Sequence, residues 1–404
     1  MYNSHQPWDP LKVCVVGKSY PPEFYDFIEN PRLRELFQQI ARETEEDFQE
    51  LIKVLTQFGV KVIRPNAPSV QAAEFIAEGV RIPGPVSMTP RDQMIMVGKN
   101  FFLFPYDRTS IKSSGRNVPN KKWTQEFYNN VKGDDWPEFQ PIENMPTWVQ
   151  QEATKFLKDV ASEDSLAKAT STFDWFSPII DDVQAAGNTI ISKEYADLLK
   201  YIPANGITRI GKDLYFGISD TALEHSQLKG LINDYFSDYR CHFITTGGHI
   251  DGCFCPVKPG LIVSIHGMDT YEHTFPGWEV VYLEGESWDK VTGFTDLKAK
   301  NQGKWWIKGH EHDDELIDYV ETWLRDWVGY VEESVFDVNM LSIDEHNIIV
   351  SGYNEKAFDA FARHGVTPHI VKFRHRYFWD GGIHCVTLDL HRAGQRQCFF
   401  PARD

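Results

Sequence analysis

A pair of glycines precedes a histidine and a cysteine in the segment Gly381-Gly382-Ile383-His384-Cys385. Paired glycines before a strand permit a close approach of two backbones. A cysteine that directly follows them lies beside backbone amides, and amides together with a neighbouring histidine activate a thiol. The segment therefore predicts a nucleophile at Cys385. The alternative is that Cys385 is a small buried apolar residue, which is the commoner role of a cysteine.

A second pair of glycines, Gly247 and Gly248, is followed by His249 and Asp251. Residues two positions apart in a strand point to the same face, so the imidazole and the carboxylate can share one pocket. Histidine serves as a general acid or base at neutral pH, and a carboxylate can hold a cation. The segment predicts an acid–base site, and the alternative is a hydrogen-bonded strand at the surface.

Two further acidic residues are candidates for a carboxylate in the same site. Asp92 follows Arg91 and precedes an apolar run at 94–97, so its side chain is predicted to face inward. An exposed ion pair with Arg91 is the alternative. Asp220 precedes a helix predicted to begin near Thr221, and a helix cap is the alternative to a catalytic role there.

A weak internal repeat organises these residues. Four segments each contain a polar residue, a short strand, a hairpin turn and a second apolar strand. If they are equivalent hairpins around a pseudo-symmetry axis, the polar side chains converge on one point; chance alignment of common hairpins is the alternative. The leading residues Asp92, Asn205, Asp251 and Asn339 lie seven positions before the turn residues Lys99, Lys212, Lys258 and His346.

Longer elements must carry these hairpins. Apolar periodicity predicts two strands, at 11–17 and 60–63, and two helices, at about 32–58 and about 314–332. The alternation of strands and helices predicts an α/β protein. Residues 106–200, which are rich in proline, serine, asparagine and charge, are predicted to form an insertion or lid rather than a separate core.

The composition bounds the class of protein. The chain has 404 residues, a formal net charge of −17, 42% hydrophobic and 25% charged residues, as expected of a globular protein. The negative charge argues against a nucleic-acid binder, whose surface must be basic. No apolar run is long enough to span a membrane, and the N-terminal segment lacks the features of a signal peptide.

The six cysteines are scattered and include no Cys-x-x-Cys pair, so we expect reduced thiols in a cytoplasmic protein, with no zinc site. The chain has no glycine-rich phosphate loop, and we expect no cofactor. The segment His310-Glu311-His312-Asp313 lacks the spacing of a helical metal site and is predicted to begin the second helix.

Taken in their order along the chain, the motifs resemble those of the arginine amidinotransferases, the glycine amidinotransferase group within the guanidino-group-modifying enzymes. The resemblance covers nearly the whole chain and is strongest at 249–264 and 374–392. The motifs that carry it are Pro90-Arg91-Asp92, the Gly-Lys-Asp turn after Asn205, His249-Ile250-Asp251, Asn339 and Gly381-Gly382-Ile383-His384-Cys385.

The resemblance implies a single α/β domain over residues 1–404, built as a five-bladed propeller of ββαβ units around a pseudo-fivefold axis. It also implies ping-pong catalysis, in which the Cys385 thiolate attacks the guanidinium carbon of L-arginine or a similar donor. His249 would protonate the leaving ornithine and then deprotonate an amine acceptor. Asp92 and Asp251 match the aspartates that hold the guanidinium.

The remaining polar residues of these motifs, Arg91, Asn205, Asn339 and His384, are assigned to substrate binding. The partners implied by the resemblance are a small guanidino donor and an amine acceptor. Neither a nucleic acid nor a membrane is expected as a partner, and a homodimer is the candidate assembly.

The sequence departs from the family pattern at two places. The family's catalytic aspartate falls at Ile202-Pro203, so Asp220 is our candidate for its role, with Asp181 or Asp182 as the second choice. Met268 stands where the glycine-specific enzymes have an arginine that binds the donor's carboxylate, and it is assigned to the substrate pocket. A methionine cannot pair with a carboxylate, so we expect the donor, or the way it is held, to differ.

Two other functions stay open on the sequence alone. A hydrolase of the deiminase or dihydrolase type would use the same guanidino chemistry with water as the acceptor. A non-catalytic relative would only bind guanidino compounds, and the missing aspartate motivates this reading. The identity of the amine acceptor is not encoded in any motif described above.

Overall fold

The computed structural model describes most of the chain outside the region 104–174. The described residues are 1–67, 86–103, 175–192, 204–218, 235–245, 250–266, 271–287, 307, 309–310, 313–316, 319, 337–379 and 381–403. Its helices are α1 Pro31–Gln57, α2 Pro90–Gln93, α3 Ser177–Ala185, α4 Tyr271–Thr274, α5 Glu355–His364 and α6 Arg376–Trp379. Its strands are β1 Leu11–Val16, β2 Lys61–Ile63, β3 Met94–Val97, β4 Asn100–Leu103, β5 Thr189–Ile191, β6 Ile207–Ile210, β7 Asp213–Ile218, β8 Arg240–Thr245, β9 Phe254–Lys258, β10 Leu261–His266, β11 Glu279–Ser287, β12 Leu341–Ser342, β13 Asn347–Val350, β14 Thr367–Ile370 and β15 Thr387–Arg392.

The described strands form five three-stranded sheets of the same design. Their strand orders are β15-β1-β2, β3-β4-β5, β6-β7-β8, β9-β10-β11 and β12-β13-β14. In each sheet the central strand is antiparallel to the first strand and parallel to the third. In four of the five, a helix described in the structure lies between the two parallel strands, as a parallel connection requires. The predicted α/β class and the four predicted hairpins are confirmed.

One sheet joins the two ends of the described chain. Strand β15 pairs antiparallel with β1, with Leu11 opposite Arg392 and Val16 opposite Thr387. Strand β1 then pairs in parallel with β2, and the long helix α1 connects these two strands. This sheet is therefore a fifth copy of the repeat, with its hairpin partners separated by almost the whole sequence.

Local sequence explains where the longest helix begins and ends. The Asn30 side chain accepts hydrogen bonds from the backbone N–H groups of Arg32 and Leu33, and Pro31 occupies the first helical position. After the helix, Gly59 adopts a φ of 72°, which a residue with a Cβ avoids. The predicted helix at about 32–58 and the strands on either side of it are confirmed.

Two other predicted segments, at 106–200 and about 314–332, are described only in part. Within the predicted insertion at 106–200, the described part contains α3 and β5, and β5 pairs in parallel with β4. These residues complete a sheet of the repeat, so they are part of a unit and not of an insertion. Of the predicted helix at about 314–332, the structure describes little beyond its start, where Asp313 accepts a hydrogen bond from the backbone N–H of Leu316.

The first strands of the five hairpins, β3, β6, β9, β12 and β15, are largely buried along their length. Burial extends to the polar residues of these strands, such as Arg209 in β6 and Asp389 and Arg392 in β15. None of the six cysteines forms a disulfide. No helix among the described residues has the length and apolar character needed to cross a membrane.

Candidate active site

The five leading strands begin next to residues that could carry chemistry. Asp92, Asn205 and Asn339 lie two positions before β3, β6 and β12, and Asp251 lies three positions before β9. Cys385 lies two positions before β15. The cysteine therefore occupies, in the fifth sheet, the place that a carboxylate or an amide occupies in the other four. The repeat brings the proposed nucleophile and the polar residues to corresponding ends of their strands.

Asn339 binds the turn that carries the cysteine. Its Oδ1 atom accepts hydrogen bonds from the backbone nitrogens of His384 and Cys385, at 2.8 and 3.1 Å. Its Nδ2 atom lies 3.0 Å from the Sγ atom of Cys385 and 3.2 Å from the carbonyl oxygen of Asp251. Asn339 is fully buried and Cys385 is 2% exposed, so these contacts are shielded from bulk water.

The Asp251 carboxylate faces His384 and Cys385, the last two residues of the segment that begins with Gly381 and Gly382. Its Oδ2 atom lies 2.9 Å from Nδ1 of His384 and 3.6 Å from Sγ of Cys385. Burial lowers the pKa of His384, the positive charge of Arg91 lowers it further, and the hydrogen bond with Asp251 opposes both effects. The imidazole is therefore neutral near pH 7, and its Nδ1–H group donates to the carboxylate, which can only accept.

A second carboxylate is oriented by the next repeat. The Asn205 side chain donates a hydrogen bond from Nδ2 to Oδ1 of Asp92, at 2.5 Å. The Asn205 carbonyl accepts from the backbone N–H of Ile250, the residue before Asp251. Asn205 thus connects the segments that carry the two aspartates predicted to hold a cation.

Arg91 binds the backbone of the turn that carries Cys385. Its Nε atom donates to the carbonyl oxygens of His384 and Thr387, both at 2.9 Å, which lie on either side of Cys385 in sequence. Its Nη2 atom donates to Oδ1 of Asp389 at 3.0 Å. The described contacts of Arg91, which was predicted to bind substrate, are therefore with the protein and fix the turn.

A buried charge cluster next to this turn was not predicted from the sequence. Asp389 accepts hydrogen bonds from Arg91, Arg209 and Arg392, at 3.0, 2.6 and 2.7 Å, and from the Ser4 hydroxyl at 2.9 Å. All five side chains are at most 5% exposed. Burial alone would raise the pKa of Asp389, but the three guanidinium groups hold it well below its ordinary value. Three of its four charged residues, Arg209, Asp389 and Arg392, lie within predicted or observed strands, and charges at strand positions are the signal that could have found this cluster.

A cavity lies beside these residues. Asp251 and His384 contribute to its lining, together with Arg91, Arg209 and Asp389. The lining therefore contains both a carboxylate and guanidinium groups. Among the described residues, Asp251 and His384 line this cavity and Cys385 does not.

His249, Asp220 and Met268 lie outside the residues that the structure describes. Asp182, our second choice for the missing aspartate, lies on α3, where its carboxylate pairs with Lys61 and accepts a hydrogen bond from the Tyr2 hydroxyl. Asp181, the other residue of that second choice, is exposed on the same helix, so the described contacts give neither residue a partner in the site.

The close packing of Gly382 against Asn339 gives a testable expectation. A Cβ atom on Gly382 would lie 2.6 Å from Oδ1 of Asn339, closer than non-bonded atoms approach. We expect Gly382→Ala to lower the free energy of unfolding by roughly 1–3 kcal/mol, the usual cost of overpacking. By displacing the amide from Sγ, it should also slow the alkylation of Cys385 by iodoacetamide. Gly352→Ala is the control, because its Cβ would meet nothing within 4 Å. Equal alkylation rates in both variants would contradict the assigned packing.

Comparison with known proteins finds relatives that are similar over almost the whole chain. No protein-family model matches it. It is 21% identical over 421 residues to the L-arginine:L-lysine amidinotransferase of Pseudomonas savastanoi pv. phaseolicola, covering 98% of this chain and 96% of that protein. It is also 21% identical over 427 residues to the mitochondrial glycine amidinotransferase of Xenopus laevis, covering 98% of this chain and 84% of that protein.

A solved structure gives the same result for the fold. The inosamine-phosphate amidinotransferase of Streptomyces griseus superposes with a TM-score of 0.56 at 17% identity, covering 99% of both chains. The chain therefore has the α/β fold of that enzyme. The resemblance inferred from the motifs is confirmed: the chain is similar, along almost its whole length, to proteins that are named amidinotransferases, which are transferases.

Proposed function

We propose that this protein transfers the amidino group of L-arginine, or of a similar guanidino donor, to an amine acceptor through a covalent amidino-cysteine at Cys385. The observation that carries the proposal is the position of the Cys385 sulfur, 3.6 Å from the carboxylate of Asp251, in a chain related to amidinotransferases over almost its full length. A thiolate and a carboxylate at this separation match the two needs of the reaction, a nucleophile and a group that attracts the cationic donor.

The guanidinium group of the donor is cationic and resonance-stabilised, so it must be held flat and close to the sulfur. Asp251 and Asp92 supply the carboxylates for this role, and charge-assisted hydrogen bonds to a guanidinium are both strong and directional. Asn205 already fixes the direction of the Asp92 carboxylate through its 2.5 Å hydrogen bond. The site is therefore organised before the donor arrives, which lowers the entropic cost of alignment.

In the first half-reaction the Cys385 thiolate attacks the guanidinium carbon and forms the carbon–sulfur bond. The bond from that carbon to the ornithine nitrogen then breaks, and His249 gives a proton to the leaving amine. The resemblance assigns this role to His249, and we propose Asp220 as the acid that orients it. The amidino group stays on the sulfur, and ornithine leaves.

In the second half-reaction an amine acceptor attacks the amidino carbon. His249 takes a proton from the acceptor, the carbon–sulfur bond breaks, and the thiolate is regenerated. Water would compete with the amine at this stage and would hydrolyse the amidino-cysteine to urea and free cysteine. The intermediate must therefore be shielded from water. The 2% exposure of Cys385 suits this requirement.

The pocket for the rest of the donor differs from that of the glycine-specific enzymes. Met268 stands where they have an arginine, so the carboxylate of arginine must bind another group, or the donor must lack it. The named relatives act on lysine, glycine and an inosamine phosphate. We therefore leave the acceptor as an amine whose identity the experiment below determines.

We further infer that the five sheets close into a five-bladed propeller in a cytoplasmic homodimer. The pairing of β15 with β1 supports closure, because it makes the two ends of the described chain into one more unit of the repeat. Contacts between residues that lead neighbouring units, such as Asn205 with Asp92, support a common axis. Light scattering after size exclusion tests the dimer.

Intact-mass spectrometry after incubation with L-arginine alone, and then with a panel of amines, tests the function. We expect the protein to gain the mass of one amidino group and to lose it again when a suitable amine is added. Guanidino product must appear in proportion to ornithine. Citrulline or urea from arginine without any amine would show a hydrolase instead, and the absence of an adduct with every donor would show a non-catalytic relative.

A further inference from the structure

We propose that Asn339 is a catalytic residue that stabilises the Cys385 thiolate, rather than a residue that binds substrate. The proposal deepens the proposed function, because it identifies the group that prepares the nucleophile of that reaction. It follows from the four contacts of one fully buried amide.

The hydrogen-bond partners fix the orientation of the Asn339 amide. The backbone N–H groups of His384 and Cys385 can only donate, and they lie 2.8 and 3.1 Å from one end of the amide, which must be its oxygen. The other end, the NH2 group, faces the carbonyl oxygen of Asp251 at 3.2 Å. That carbonyl can only accept, so the assignment of the two ends is consistent from both sides.

The NH2 group has two hydrogens, and the second faces sulfur. One hydrogen goes to the Asp251 carbonyl, and the other is directed to Sγ of Cys385 at a nitrogen–sulfur distance of 3.0 Å. In this contact the sulfur must be the acceptor. A thiolate accepts hydrogen bonds better than a neutral thiol does, so the contact favours the charged, reactive form of the cysteine.

Other charges around the sulfur make this contact necessary. The Asp251 carboxylate, 3.6 Å from Sγ, disfavours a second negative charge there. His384 is neutral, as argued above, and offers no compensating charge. Arg91 favours the thiolate but directs its hydrogen bonds to the turn and to Asp389, whose own charge opposes the effect. Among these groups, Asn339 donates directly to the sulfur.

The test is the pH dependence of iodoacetamide alkylation at Cys385, followed by peptide mass spectrometry. The Asn339→Asp variant keeps an oxygen for the two backbone N–H groups but places an acceptor against the sulfur. We expect its alkylation rate at pH 7 to fall at least about tenfold and the midpoint of its pH profile to rise. At high pH its rate should recover, because the thiol is then ionised in both proteins.

Two further variants make the result decisive. Asn339→Ala removes the donor without adding charge, and it should show a smaller rise of the same midpoint. Asn66→Asp makes the same chemical change at an exposed position, where the Ser177 hydroxyl that accepts from the amide can donate to a carboxylate, and it should leave the profile unchanged. An unchanged midpoint in both Asn339 variants, or an equal loss of rate at every pH, would overturn the proposal.

The experiment separates this inference from the proposed function. Alkylation needs neither a guanidino donor nor an amine acceptor, so the midpoint can be measured even if no amidino transfer is found. A raised midpoint without transfer would support the role of Asn339 while removing the proposed reaction. Amidino transfer with an unchanged midpoint of the alkylation profile would support the proposed reaction and would remove the proposed role of Asn339.

Discussion

We expect the Cys385→Ala variant to lose amidino transfer by at least about 10⁴-fold, because it lacks the sulfur atom that carries the intermediate in the proposed mechanism. It should also gain no mass on incubation with L-arginine. Its fold should persist, since the substitution removes one sulfur from a site that is held mainly by backbone and amide contacts. Steady-state product assays, intact mass and thermal unfolding together measure these outcomes.

A second buried cysteine provides the matched control. Cys14 is fully buried on β1, and burial raises the pKa of its thiol to about 12, so it is un-ionised and unreactive at neutral pH. The Cys14→Ala variant should form the adduct as the unmodified protein does. Measurable transfer by the Cys385→Ala variant would refute the covalent mechanism.

The second large effect concerns stability rather than chemistry. We expect Asp389→Asn to lower the free energy of unfolding by about 3–5 kcal/mol, because it leaves three buried guanidinium groups without their shared carboxylate. The three ion pairs all have partners that are at most 6% exposed, so water cannot replace the lost charge. Urea unfolding monitored by tryptophan fluorescence measures the change.

An exposed aspartate provides the control, and the lowered pKa of Asp389 determines the pH range of the effect. Asp359→Asn, on the exposed face of α5, should change stability by less than about 0.5 kcal/mol. The depressed pKa of Asp389 means that its contribution is complete above the pKa of an unfolded aspartate and is lost as the pH falls through its lower native value. The difference between the variants should therefore be constant from pH 6 to 8. A loss below about 1 kcal/mol would show that the cluster is not needed.

Sequence reasoning recovered the parts of this fold that depend on local patterns. Hairpin turns such as Gly98-Lys99 and Gly211-Lys212 have glycines with φ of 57° and 63°, and such turns are readable from residue type alone. The equal spacing from each turn back to a polar residue then located Asp92, Asn205, Asp251 and Asn339.

The fifth unit escaped the same reasoning because its two strands are not neighbours in sequence. Strand β15 meets β1 only through a pairing between the two ends of the described chain, so no turn marks the hairpin. Cys385 was found from its glycines, without the knowledge that it occupies a repeat position. The link between the nucleophile and the repeat became visible only with the sheet topology.

The charge cluster was also beyond local patterns. Read alone, the strand Thr387–Arg392 alternates polar and apolar residues, which is typical of a strand with one face in water. The structure buries both faces, and the polar side is neutralised by Arg91 from α2 and Arg209 from β6. Three segments far apart in sequence supply these charges, and their meeting depends on the tertiary fold.

The pairing of β15 with β1 has a consequence for the time at which activity can arise in the cell. A ribosome completes β1 early and β15 only after the other described strands, so a growing chain holds an unpaired sheet edge for most of its synthesis. The proposed nucleophile, Cys385, emerges immediately before the strand that completes this sheet. By the proposed mechanism, a nascent chain cannot react with a guanidine before β15 is made, and contacts so distant in sequence make the final folding step slow.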